Sequence, residues 1–223
     1  MALLGDAVAL ARKDVVAEIR ARDALPAAAT LGATGLVLVA LAVGPDVGRM
    51  RLLAPALVGV VLAFATVTLA DRLDSIDRAD DALVALWFAL DDPRAIFAGR
   101  VISLSASLTT LELGLWLAAA TLLDLRPGAG ALLLVPLAVA SSVSRAAVAA
   151  LVTSLVGGSP HRALLAPALL LPMLVPTLLA GVQAASAVLA GGQGVQWTAV
   201  LVAESLLFLG VGLITYGEAA GPA

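Results

Sequence analysis

The chain has 223 residues and no cysteine, a single histidine (His161), a single lysine (Lys13) and 4% aromatics. The missing cysteine excludes disulfides, thiolate metal sites and cysteine nucleophiles. One histidine cannot furnish a His-rich metal site, and it supplies a Ser/His/Asp triad poorly. His161 follows Ser159-Pro160, a helix-start pattern, and its expected place is a membrane interface. A phosphate-binding loop needs Gly-x-x-x-x-Gly-Lys-Ser/Thr. Lys13 lies between Arg12 and Asp14, so no such loop exists here and any ATP hydrolysis belongs to another chain. Charged residues are only 13% and the net charge is −3, which argues against nucleic acid as a partner.

Apolar residues dominate in their place, at 61%. An average soluble domain has about 45–50% apolar and about 25% charged residues. A fold this small has no core large enough to hide the excess, and the mean hydropathy is +1.07. The chain is expected in lipid, as helices that satisfy their own backbone polar groups. A span needs roughly 20 apolar residues to cross about 30 Å of hydrocarbon. The uncharged runs supply six, near 26–44, 52–70, 97–123, 131–156, 163–190 and 196–216. The fold class expected is an all-α integral membrane protein in one membrane domain. Residues 1–24 form an N-terminal amphipathic interfacial helix, 26–70 the first two spans and 71–94 a cytoplasmic segment. Residues 95–216 form the other four spans and 217–223 a cytoplasmic tail. No apolar–polar alternation supports a β-barrel.

Six spans leave both ends on one side. With that side cytoplasmic, Arg12, Lys13, Arg20, Arg22, Arg72, Arg78, Arg94, Arg100 and Arg162 lie inside and only Arg49, Arg51 and Arg126 outside. That distribution obeys the positive-inside rule. The first run is too long, and begins too far from the N-terminus, for a cleaved signal peptide.

Two segments are not spans. In the first, Leu4, Val8, Ala11, Val15 and Ile19 share a face at helical spacing, with Asp6, Lys13, Asp14 and Arg20 mostly opposite. The expectation is a helix lying on the inner membrane surface. In the second, Asp71, Asp74, Asp77 and Asp80 recur every third residue, and a helix is expected to stack them along one side. Asp80-Asp81 then opens a short apolar stretch to Leu90 whose face is Leu83, Leu86, Trp87 and Leu90. It is too short to cross. Asp91-Asp92-Pro93 ends it and caps the next helix. A docking helix is favoured over a solvated acidic loop, because the Trp87-Phe88 pair suits an interface. A metal-dependent transferase is disfavoured, since no second acidic cluster completes the ion's shell.

Glu112, Arg145 and Glu204 lie inside spans, where charges are costly and normally paired. Helical rise allows Arg145 to reach Glu112. The pair serves either as part of a polar route that rearranges or as static glue. Pro167, Pro172 and Pro176 all fall in the fifth span, and each removes a helical N–H, so a kinked helix is expected.

The segment Leu169-Leu-Leu-Pro-Met-Leu-Val-Pro-Thr-Leu-Leu-Ala-Gly-Val182 resembles the proline-rich fifth span of CcmB, the permease subunit of the cytochrome c maturation ABC transporter. Leu10–Asp14 with Glu18, Arg20, Arg22 and Asp23 is similar to that family's N-terminal helix. Asp71-Arg72, Ala82-Leu83, Asp92–Phe97 and Gly99-Arg100 resemble its cytoplasmic segment, with Leu73 and Arg100 as departures. The resemblance runs from about residue 8 to 216. It implies a non-catalytic, ABC-2-type permease subunit in the inner membrane that acts in haem delivery or export. The implied partners are an ATP-binding subunit, a haem-handling membrane protein and a small helper subunit, with the chain present in two copies. ATP belongs to the partner, and haem is cargo. Axial ligands to haem iron are His, Met, Cys or Tyr, and His161 and Met173 make no convincing site. The expected coupling element is the short helix: Leu83 and Trp87 anchor it in the ATPase, and Asp80, Asp81, Asp91, Asp92 and Arg94 orient it. The alternatives are an exporter permease for a lipid, glycan or drug, and a non-transporting scaffold.

Overall fold

The computed structural model describes residues 2–21, 24–44, 46–78, 90, 92–123, 128–157 and 159–219. Among them are α1 (Ala2–Ala21), α2 (Ala24–Val43), α3 (Val47–Arg78), α4 (Arg94–Leu122), a 3₁₀ turn (Gly128–Leu133), α5 (Leu134–Val156), α6 (Arg162–Leu189) and α7 (Val195–Ala219), and no strand. Six of these, α2 to α7, are long and apolar enough to cross a membrane. The chain is an all-α, multi-pass membrane protein.

The helix ends follow local chemistry. Asp46 accepts the Arg49 N–H at 3.1 Å and caps α3. Asp92 accepts the Arg94 N–H at 3.0 Å at the start of α4. Gly44, Gly191 and Gly194 take positive φ where α2 ends and where α6 turns into α7. Gly194 is also too close to the Ala184 carbonyl, 2.9 Å from where a Cβ would stand, for a larger residue. The first residues of the fourth span, expected to be helical from 131, form the 3₁₀ turn instead. At the other extreme α3 has 32 residues, or about 48 Å of helix, so it outruns the hydrocarbon. Its last two turns carry Asp71, Arg72 and Asp74.

The centre of the bundle is α5, which is buried at every position from Ser144 to Ser154. Its Ala- and Ser-rich surface lets α3, α4, α6 and α7 approach closely. The periphery is α2 and α7, whose spans are only 11% and 17% buried, so they present Leu and Val to lipid. Phe97 of α4, fully buried, is seated on Gly212 of α7.

α1 departs from expectation only at Ala11 and Asp14. Its face toward the bundle is Ala7, Ala11, Asp14 and Glu18, all buried. Leu4, Val8 and Ile19 point away and are exposed. The expected apolar stripe is therefore the outer face, without Ala11, and Asp14 lies inside. The physical reason is a close approach to α4. A Cβ on Gly99 would stand 2.9 Å from the Leu10 Cβ and 3.1 Å from the Ala7 carbonyl oxygen. Gly99, with no Cβ, lets the backbone of α1 come this close, with Leu10 at the edge of the contact.

Candidate functional site

Two polar clusters stand out in a bundle that is otherwise hydrocarbon. The first lies inside the spans. Glu112 on α4 and Arg145 on α5 form an ion pair, and both are buried. The same carboxylate oxygen accepts the hydroxyls of Ser141 at 2.9 Å and Ser142 at 3.4 Å. The Arg145 guanidinium in turn donates to Ser142 at 3.2 Å and Ser141 at 3.3 Å. These residues meet because 141 and 145, and 142 and 145, are one helical turn apart. On another side of α5, Ser144 lies 3.3 Å from Thr177 of α6, and Thr177 donates to Glu204 of α7 at 2.8 Å. The three charged residues expected within spans therefore belong to polar contacts that tie together α4, α5, α6 and α7. A charge in lipid is tolerable only when so paired.

Ser141, Ser142, Ser144 and Thr177 escaped the sequence reading. The available signal was a hydroxyl residue within one turn of Arg145. Thr177 has no such local marker, because its partners come from other helices.

The second cluster lies at the end of the bundle where α3 leads toward α4. Asp74 of α3 pairs with Arg100 of α4 at 3.3 Å and, through its other oxygen, with Arg162 at the start of α6. Glu18 of α1 pairs with Arg72 of α3 at 3.3 Å and accepts the Leu25 N–H of α2 at 3.2 Å. Asp14 of α1 takes Lys13 at 3.1 Å and the Ser103 hydroxyl of α4 at 3.4 Å. Asp14, Glu18, Asp74 and Arg100 are all buried. This arrangement corrects the expected aspartate stack, since Asp71 is exposed and Asp74 is enclosed. A spacing of three advances 300° around a helix, so each step drifts 60° from the last.

Asp80, Asp81, Leu83 and Trp87, with Asp91, lie outside the described residues. Of the rest of that expected group, Asp92 accepts the Arg94 N–H as already noted, and Arg94 is the exposed first residue of α4. Leu90 packs against the core. Pro167, Pro172 and Pro176 all stand in α6, which runs as one continuous helix through them. His161 is exposed just before α6, where its N–H meets the Ser159 hydroxyl at 3.2 Å. Among the described residues no three His, Cys, Asp or Glu side chains gather as a metal site would need.

A comparison with curated proteins finds no match. A family model described as CcmB protein matches residues 6–221, nearly the whole chain. That span takes in both polar clusters and all six membrane-length helices. The chain belongs to the CcmB family, the membrane permease subunits of haem-exporting ABC transporters in cytochrome c maturation.

Proposed function

We propose that this permease subunit borrows its force from a separate ATP-binding subunit, and that the force enters through residues 79–91 and spreads through the second polar cluster. The observation that carries the reading is Asp74. The segment 79–91 joins α3 to α4, and Asp74 ties the adjoining ends of those helices to each other through Arg100 and to α6 through Arg162. Glu18–Arg72 adds α1. A push on the connecting segment therefore moves several helices together. Buried ion pairs suit this task because breaking one leaves an uncompensated charge. The absence of a phosphate loop in the chain supports a second subunit as the engine.

In this reading Leu83 and Trp87 seat in the ATPase, and Asp80, Asp81, Asp91, Asp92 and Arg94 set its orientation. Two copies of the chain meet two ATPase subunits, with a haem-handling membrane protein and a small helper subunit alongside. Both termini face the cytoplasm. The cargo is haem or a haem-loaded carrier.

The test is co-purification with the ATP-binding subunit in mild detergent. Leu83→Asp with Trp87→Asp should abolish co-purification while the protein stays in the membrane. Asp74→Asn and Arg162→Gln should keep the ATPase bound and ATP hydrolysed, yet lower c-type cytochrome yield several-fold. Unchanged capture of the ATPase by the double aspartate variant would overturn the docking reading. Normal cytochrome yield in the Asp74 and Arg162 variants would overturn the role of the cluster.

A further inference from the structure

Beside the Glu112–Arg145 pair, α3, α4, α5 and α6 line a small cavity of about 10 Å³. Its polar walls are Glu112, Trp116 and Arg145, and Gly59 and Gly181 face it from α3 and α6. The remaining walls are apolar. Two of these lining residues carry an N–H donor with no hydrogen-bond partner among the described residues: Nε1 of Trp116 and Nε of Arg145. Trp116 is 6% exposed and Arg145 2%, so bulk water does not serve them. An unpaired N–H in an apolar layer is costly, and buried donors are normally satisfied. Glu112 and Trp116 are four residues apart, so one face of α4 brings acceptor and donor to the same space.

We propose that this cavity is a binding site for a single water molecule. A volume near 10–15 Å³ is about what one water requires, together with two to four polar partners. Here the partners are of the right kind. The water accepts the indole N–H of Trp116 and the Nε–H of Arg145, and donates to the Glu112 carboxylate. Nothing larger fits, and a cation is disfavoured by the Arg145 guanidinium. The site lets Arg145 use a donor that Glu112, Ser141 and Ser142 leave unused, and it joins Trp116 to the intramembrane polar cluster. It does not depend on how the chain meets an ATPase.

The experiment uses the full chain in lipid nanodiscs. The protein has three tryptophans. Trp87→Phe with Trp197→Phe leaves Trp116 as the sole indole, and ultraviolet resonance Raman reads whether its N–H is hydrogen-bonded. A bonded N–H is expected. A free N–H overturns the proposal. Where the N–H is bonded, a structure of the unmodified chain at a resolution that resolves waters identifies its partner. Density within hydrogen-bond distance of both nitrogens supports the site, and an empty cavity overturns it.

Discussion

Arg145 is the one charged residue in a helix made mostly of alanine, serine, valine and leucine, and its charge is held by one carboxylate and two hydroxyls. Removing one member of such a pair exposes the other to an environment that cannot solvate it. Arg145→Leu should therefore cost about 3–5 kcal/mol, whereas Glu112→Leu with Arg145→Leu should be close to neutral. Thermal unfolding in detergent, read for both single variants and the double, measures this. The double variant also separates two roles for the pair. Retained stability with lost c-type cytochrome assembly marks a pair that works during a cycle, and retained assembly marks glue. Thr177 is the matching residue on the far side of α5. Thr177→Val keeps the shape but removes the donor to Glu204 and should cost about 1–2 kcal/mol.

Among the elements, helix contacts at Gly32, Gly59, Gly99 and Gly212 depend on glycine. A Cβ on Gly212 would stand 2.0 Å from Cζ of Phe97, so the ring must leave its seat. Gly212→Ala should destabilise the contact of α4 with α7 by about 1–3 kcal/mol. Combining it with Phe97→Ala should cost less than the sum of the two single changes, which a double-mutant cycle detects. Gly99 holds α1 against α4 in the same way. Gly99→Val should lift α1 and raise amide exchange across residues 4–20, while exchange in α5 stays low. Unchanged protection of α1 would mean that its salt bridges alone keep it in place. α6 shows proline tolerated at element scale: three prolines remove N–H groups, and the helix still runs unbroken from Arg162 to Leu189.

At the scale of the whole molecule the charges are arranged in layers. Leu and Val face outward on α2 and α7, one polar cluster spans the interior, and a second closes the end that bears the α3–α4 connection. The long α3 and α4 carry the second cluster past the apolar layer, where charges cost less. An even number of spans and the cation distribution predict that both termini share one side. Because the chain has no native cysteine, single introduced cysteines report cleanly. Arg12→Cys should react with an impermeant maleimide only after the membrane is opened, and Gln193→Cys should react without that step. Both positions are exposed.

The number of spans, their limits to within a few residues, and the family were legible in the sequence, because each rests on local information. An apolar run of sufficient length must become a helix in lipid, whatever its neighbours do. The in-span charges could also be read as needing partners, since Glu112 and Arg145 stand out against apolar surroundings. Tertiary structure alone decided which groups answer which charges. Asp74 chose Arg100 and Arg162, Glu18 chose Arg72, and Thr177 chose Glu204, at separations of 26 to 88 residues that no periodicity encodes. It also decided the face α1 presents. Hydrophobicity points Leu4, Val8 and Ile19 toward any apolar phase, and lipid is as apolar as a protein core. In a membrane that force cannot choose between the two, so close packing at Gly99 and the buried carboxylates of Asp14 and Glu18 set the orientation.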